Sequence, residues 1–234
     1  MSNNYLFEPQ PHNCLPILNS DKLFPINRVY CVGRNYAEHA REMGDDPDRD
    51  PPFFFCKDRT CVFPVPFSET RDLIYPSVTE RLEYEVELVV ALKSGGENLS
   101  REQAIESILG YSVGLDMTRR DLQTKAKKKG RPWEEGKAFD YSAPMSPICL
   151  KSDTLLKEDE KISLQVNGDI KQLSSLDHLT WSVTEVIMKL SESFLLKPGD
   201  LIMTGTPENV GAVVVGDQIT ASIEGLGEIV LNVV

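Results

Sequence analysis

Apolar and acidic residues alternate through Leu82-Glu83-Tyr84-Glu85-Val86-Glu87-Leu88, and the run then turns wholly apolar through Val89-Val90-Ala91-Leu92. Period-two alternation predicts a β-strand, and the apolar tail predicts its entry into a core. Successive side chains of a strand point to opposite faces, so Glu83, Glu85 and Glu87 share a face opposite Leu82, Tyr84, Val86 and Leu88. Neighbouring carboxylates on that face sit roughly 7 Å apart and repel by about 2 kcal/mol at an effective dielectric of about 20. On a wet edge strand, water and salt screen most of that, and the row means only solubility. Here the strand runs on into the core, where a buried acid needs a cation. A divalent metal held by Glu85 and Glu87 is the sharper reading.

The remaining pattern predicts many short strands and four helices. Residues 1–24 are polar with scattered prolines and read as an extended arm or a short strand. A strand over 28–32 leads to a helix with Asn35 as its cap, Glu38 at the third position and Gly44 as its stop. Tyr36, Ala40 and Met43 form its apolar stripe, His39 falls on the same side, and Glu42 lies within reach of His39. A compact apolar strand follows at 53–57. Ser100 with Gln103 opens a helix whose inner face is Ala104, Ile105 and Ile108 and whose stop is Gly110. A buried strand over 111–115 ends at Asp116, and Thr118 caps a helix carrying Arg119, Arg120, Asp121, Leu122 and Gln123. Its lysine-rich end, 125–129, reads as a solvated turn that complements the helix dipole. Residues 133–139 form a loop that brings in Lys137. Asn167-Gly168 marks a hairpin, and Ser182 caps a helix with Val183, Val186, Ile187 and Leu190 at core spacing. A tight turn at 197–200 enters a strand over 201–204, and the loop 205–211 lacks the Gly-Lys-Ser/Thr of a nucleotide-binding loop. The last strands, around Ile219 and Val230, flank the Gly225-Leu226-Gly227 turn. With no regular β-α alternation, the pattern predicts an α+β fold, a mixed β-sandwich roll with a few flanking helices.

A chain of 234 residues carries one substantial core, so residues 1–24 are expected to form an extension and 25–234 a single catalytic domain. The net charge of −11 argues against nucleic acid or an anionic membrane as partner, and means that an anionic substrate needs local cations or a metal. Five scattered cysteines in no C-x-x-C pair suit a reducing cytoplasm. The first residues show no secretory pattern, and no apolar run reaches transmembrane length. Cytoplasmic location is therefore expected.

Glu85, Glu87 and Asp116 are three hard oxygen donors. With three histidines in the chain and no cysteine cluster, they point to Mg²⁺ or Mn²⁺ rather than zinc or copper. Three monodentate carboxylates leave about three octahedral positions for water or a chelating substrate.

Five segments carry a resemblance: VGRNYAEHAREMG, YEVELVVAL, GLDMTRRDLQ, GRPWEEGKAFD and PGDLIMTGTPENVGAV. Each is short, but the five in this order resemble the fumarylacetoacetate hydrolase family from about Ile26 to the C-terminus. The resemblance implies a roll of the family's C-terminal-domain type, a homodimer, and Mg²⁺ or Mn²⁺ bound by Glu85, Glu87 and Asp116. It also implies hydrolysis or decarboxylation of 2-oxo acids. REMGDDPDRDPPFFFCK, GLDMTRRD and the terminal IEGLGEI are most similar to the branch that cleaves fumarylpyruvate in gentisate catabolism. KKKG and SLDHLTW depart from the pattern, away from the expected site.

For a small 2,4-dioxo acid such as fumarylpyruvate, that chemistry gives the residues roles. His39, oriented by Glu42, deprotonates a water that attacks C4. Lys137 holds the carboxylate beside the metal or stabilises developing negative charge. Thr206 and its loop bind a substrate carboxylate or the C4 oxyanion, and Arg34, Arg120 and Gln123 meet the substrate's charged ends. Glu83 is expected as a supporting or surface acid, Asp121 as a helix-cap partner, and Tyr30, Tyr84 and Trp133 as packing residues. The alternatives are a broad acylpyruvase or an oxaloacetate decarboxylase on the same scaffold. From a different class, a non-catalytic metal or 2-oxo-acid binding protein accounts for the carboxylates but not for His39, Lys137 and Thr206.

Overall fold

The structure, a computed structural model, describes residues 5–8, 10–43 and 50–234. Its centre is the apolar half of the acidic strand. Val86–Leu92 is buried throughout and pairs antiparallel with Ile108–Leu115 on one side and Leu201–Met203 on the other. A strand covered on both faces needs no polar side, which is why this stretch reads as a nearly continuous apolar run. Outward from it, Leu201–Met203 runs parallel to Val29–Gly33, which pairs with Phe53–Lys57. Ala143–Met145 and Val62–Pro64 complete the opposite edge of this mixed sheet.

A second sheet of five strands runs in the order Asp169–Ser175, Lys161–Val166, Gln218–Ile223, Gly227–Val233 and Thr70–Leu73. Its inward residues Ile162, Leu164, Ile219, Ala221, Ile229 and Leu231 meet Leu82, Val86, Leu88, Val113 and Leu115 in one core between the sheets. Another core lies under a hairpin of Cys14–Pro16 and Leu23–Pro25, which inserts Leu15 and Phe24. A third is covered by the helices Arg101–Ser107 and Val183–Ser193 through Ala104, Val186, Ile187 and Leu190. The fold is thus α+β, mixed sheets packed as a roll with few helices. No described helix is long and apolar enough to cross a membrane.

Three helix boundaries differ from expectation, each because a tertiary partner claims the residue. The His39 helix spans Ala37–Glu42 with Tyr36, not Asn35, at its N-cap. The Asn35 amide instead donates to the carbonyls of Trp181 and Thr204 and accepts from the Trp181 amide, tying three loops together. The expected stop at Gly44 lies outside the described residues. Ser100 and Gln103 do form a reciprocal cap, but the helix ends at Ser107, because Ile108 already pairs with Leu92. Ile105 accordingly faces outward, 38% exposed. Thr118 is not a cap: it pairs with Glu83 in the two-residue strand Thr118–Arg119, and the helix starts at Arg120. Asp121 reaches back to the Thr79 hydroxyl and the Glu80 amide.

Candidate active site

The acidic strand breaks at Glu85. Leu82–Tyr84 pairs with Thr118–Arg119 and Gly211–Val213, whereas Val86–Leu92 belongs to the large sheet. Leu115 stands opposite Val86, so the next residue, Asp116, arrives beside the break, its amide 2.9 Å from the Glu85 carbonyl. One carboxylate oxygen from each of Glu85, Glu87 and Asp116 then lies within 4.8 Å of the other two, all three residues being buried.

Three buried cations stand among these acids. Lys137 projects from a helical turn, Glu134–Lys137, where a loop was expected. Its Nζ lies 2.8 Å from Glu85 Oε2, 2.7 Å from Asp116 Oδ2 and 2.7 Å from the Thr118 hydroxyl. Arg120 binds both Glu83 and Glu85 and donates to Gln123 Oε1 at 2.6 Å. Lys57 Nζ lies 2.8 Å from Asp116 Oδ1, an ion pair without hydrogen-bond alignment at that oxygen. Its ammonium also meets the Lys137 carbonyl and the Ser142 hydroxyl. Burial opposes charge on Glu85, but Lys137 and Arg120 outweigh it and hold that carboxyl well below the usual range. Lys137 is raised in turn: burial opposes its charge, and Asp116 and Glu85 prevail.

Glu87 is different. Its one hydrogen bond among the described residues comes from the Gly205 amide at 2.8 Å. Burial, with Asp116 and Glu85 close by, pushes its carboxyl well above the usual range. Four buried acids, Glu83, Glu85, Glu87 and Asp116, thus face three buried cations, Lys57, Arg120 and Lys137. An all-oxygen donor set with one uncompensated acid fits a divalent ion of the Mg²⁺ or Mn²⁺ type.

The same cleft is lined by His39, Arg34, Gln123 and Thr206. His39 Nδ1 lies 3.2 Å from Glu42 Oε2, which also accepts from the Asn209 amide at 3.0 Å. Burial opposes ionisation of Glu42, but the His39 contact and the Asn209 and Val210 amides hold its carboxyl below the usual range. With Nδ1 so engaged, Nε2 is the nitrogen left for a ligand. Thr206 follows Gly205, whose φ is +102° and where an added Cβ would come within 2.8 Å of the Asn35 side chain. Only glycine fits there, and it turns the chain so that Gly205 reaches Glu87 and Thr206 lines the cleft. Arg34 lies with its guanidinium 5.4 Å from the Phe53 ring centroid.

The structure therefore brings together all ten residues expected at the site, together with several that sequence reasoning did not place there. Glu83 is buried, not on the surface, because Arg120 holds it. Of the arginine pair only Arg120 enters the cleft, while Arg119 lies over the Phe139 ring at 4.2 Å. Trp133, expected only to pack, walls the cleft against Phe53 and Phe55. Lys57, Thr118 and Gln172 were missed. Lys57 was findable, since alternation puts it on the face of Phe53 and Phe55 at the end of an apolar strand. Gln172 had no signal, because its apolar neighbours point out and it points in.

A profile described as "Fumarylacetoacetate (FAA) hydrolase C-terminal" matches residues 28–234. The chain is 50% identical over 159 residues to a fumarylpyruvate hydrolase of a Ralstonia species, covering 68% of this chain and 82% of the relative. It is 36% identical over 203 residues to an oxaloacetate tautomerase of Escherichia coli, covering 86% of this chain and 90% of that one. The crystal structure of a fumarylpyruvate hydrolase from Pseudomonas aeruginosa in complex with Mn²⁺ and pyruvate matches with a TM-score of 0.97 and 54% identity, covering 99% of both chains.

Proposed function

Given that the chain belongs to the fumarylacetoacetate hydrolase family, we propose that it hydrolyses the C3–C4 bond of a 2,4-dioxo acid, converting fumarylpyruvate to fumarate and pyruvate. Glu85, Glu87 and Asp116 would hold Mg²⁺ or Mn²⁺. The observation that carries this is the convergence, in one cleft, of an under-compensated carboxylate triad with a His39–Glu42 pair and Thr206. A non-catalytic binding protein needs only the first of these.

When bound, the ion supplies Lewis-acid charge stabilisation to the 2-oxo-acid end of the substrate. His39, its Nδ1 held by Glu42, takes a proton from water at Nε2 as the water oxygen adds to C4. The C3–C4 bond then breaks with its electron pair going to the pyruvate fragment, and the proton held by His39 returns to C3. Lys137 keeps its own proton, since Asp116 and Glu85 raise its pKa, and acts as a fixed positive charge. Arg120 gives its donors to Glu83, Glu85 and Gln123 and orients Glu85. The reading gives the distal carboxylate of the substrate to Arg34, which lines the cleft beside Phe53. The reading includes a homodimer and a reducing cytoplasm; the five free cysteines suit the second.

The test is a panel of fumarylpyruvate, acetylpyruvate and oxaloacetate with Mg²⁺ or Mn²⁺, followed by loss of the enol absorbance and identification of products. Fumarylpyruvate should be cleaved fastest. Exclusive conversion of oxaloacetate would move the protein to the chemistry named for its Escherichia coli relative. Light scattering checks the dimer.

A further inference from the structure

Gln172 is a fully buried amide, 0% exposed, on a strand whose neighbours Ile170 and Leu173 are 60% and 53% exposed. Lys171 has no partner in the pairing with Lys161–Val166, and this bulge turns Gln172 inward, opposite Leu164. Its Oε1 accepts from the Val86 amide at 3.1 Å, and its Nε2 lies 2.8 Å from the Pro207 carbonyl, 3.2 Å from the Glu208 carbonyl and 3.0 Å from the Thr206 hydroxyl oxygen. The amide can sit only one way round: Val86 offers a donor alone, and the two carbonyls accept alone. In its contact with Thr206, Nε2 can therefore only be the donor.

A hydroxyl has one proton and two lone pairs. With a lone pair taken by Gln172, Thr206 keeps its proton to donate, and among the described residues no acceptor takes it. Thr206 lines the cleft beside Glu85, Glu87 and His39. We infer that Gln172 is a positioning residue that fixes Thr206 as a hydrogen-bond donor to an oxygen of the substrate's 2-oxo-acid end. It does so from the second sheet, without touching the substrate. The same amide, through Val86, holds the residue that lies between Glu85 and Glu87.

The inference rests on the hydrolase reading, so turnover by the unmodified protein decides that reading by itself. The inference is decided separately by the affinity of the Mn²⁺-loaded protein for pyruvate, measured by calorimetry without turnover. Gln172→Met and Thr206→Val should each weaken pyruvate binding, and kcat/KM for acetylpyruvate, by about tenfold. In the double variant the loss should stay within about threefold of the larger single loss, because the amide acts through the hydroxyl. Thr206→Ser should bind pyruvate within about threefold of the unmodified protein. Mn²⁺ affinity should be unchanged by Gln172→Met. Separate losses that multiply in the double variant overturn the inference, as does pyruvate binding indifferent to either change. A fall in Mn²⁺ affinity that parallels the loss would assign Gln172 to the Glu85 strand instead and also overturn it. Should Gln172→Met be recovered unfolded, Gln172→Asn, which keeps the amide on a shorter arm, is held to the same criteria.

Discussion

The two walls of the cleft are built on opposite electrostatic principles. On one, Glu85, Asp116, Arg120 and Lys137 line the cleft and Glu83 and Lys57 stand behind them, three buried acids against three buried cations among the described residues. On the other, Glu87 has a single backbone amide as partner among the described residues, and shares the cleft lining with His39 and Thr206. The first wall is balanced in charge before any ligand arrives. The second is where added positive charge is worth most, because burial has left a carboxylate without a cation. A frame that is already neutral can hold geometry, and a deficit beside it can select a cation.

The largest effects should come from erasing that difference. Chelation should abolish turnover, and Mg²⁺ or Mn²⁺ should restore it; full activity of Asp116→Ala after exhaustive chelation would rule out the metal. Urea unfolding of the chelated proteins then separates the walls. Asp116→Asn strips Lys57 of its acid and Lys137 of one of its two, and should cost about 3 kcal/mol or more, the usual loss when one half of a buried pair is removed. Glu87→Gln removes an acid that pairs with no cation among the described residues and should leave the chelated protein as stable as before or more so. Equal losses in the two variants would mean that the walls do not differ.

His39→Ala should lower kcat by roughly 10²–10⁴-fold, the range for a general base, with Mn²⁺ affinity little changed. A large loss of metal affinity with kcat intact at saturating Mn²⁺ would make His39 a ligand instead. Its partner sets a pH window. The Glu42 carboxyl is held below the usual range, so its contribution to stability is complete above the unfolded pKa of about 4.3 and disappears as pH falls through the lower folded value. The urea midpoint difference between the unmodified protein and Glu42→Gln should therefore shrink as pH falls below about pH 4. A difference already fading near neutrality would contradict this.

Lys57→Met sharpens the comparison from inside the balanced wall. It leaves one lobe of Asp116 without its cation, and should destabilise the chelated protein by about 3 kcal/mol. Saturating Mn²⁺ should narrow that gap, since the ion substitutes for part of the missing charge. A gap indifferent to Mn²⁺ would separate Lys57 from the metal site.

The walls were not equally legible in the sequence. The acids showed because charge repeated at period two against buried apolar partners, Glu83 to Glu87 against Leu82 to Leu88, and because that strand ran into an apolar tail. The cations did not show as a set. Lys57 ends an apolar strand, where a lysine more often reaches water, and Lys137 sits in a segment whose composition said only loop. His39 gained its role from the family's motif rather than from its helix. The α+β roll followed from counting short strands, whereas the stop at Gly110 and the cap at Thr118 were misplaced because cap and stop residues are local signals and strand pairing overrode them. Gln172 was hidden altogether, since a bulge in the partner register reversed the face that alternation assigns.

The smallest predicted effect tests the mouth of the cleft. A dianionic substrate meets a protein of net charge −11, so its far carboxylate needs a local cation. Both Arg120 and Arg34 line the cleft; Arg120 grips Glu83 and Glu85, and Arg34 lies beside Phe53. Arg34→Ala should therefore lower kcat/KM for fumarylpyruvate by about tenfold, about 1.4 kcal/mol, and leave acetylpyruvate, which lacks that carboxylate, nearly unchanged. Arg120→Ala should instead depress both substrates alike, because it releases Glu85. Kinetics of both variants on both substrates decide between these assignments. A selective loss in Arg120→Ala, with equal losses in Arg34→Ala, would exchange the two arginines. A parent protein faster on acetylpyruvate would make the distal carboxylate irrelevant and the enzyme a broad acylpyruvase.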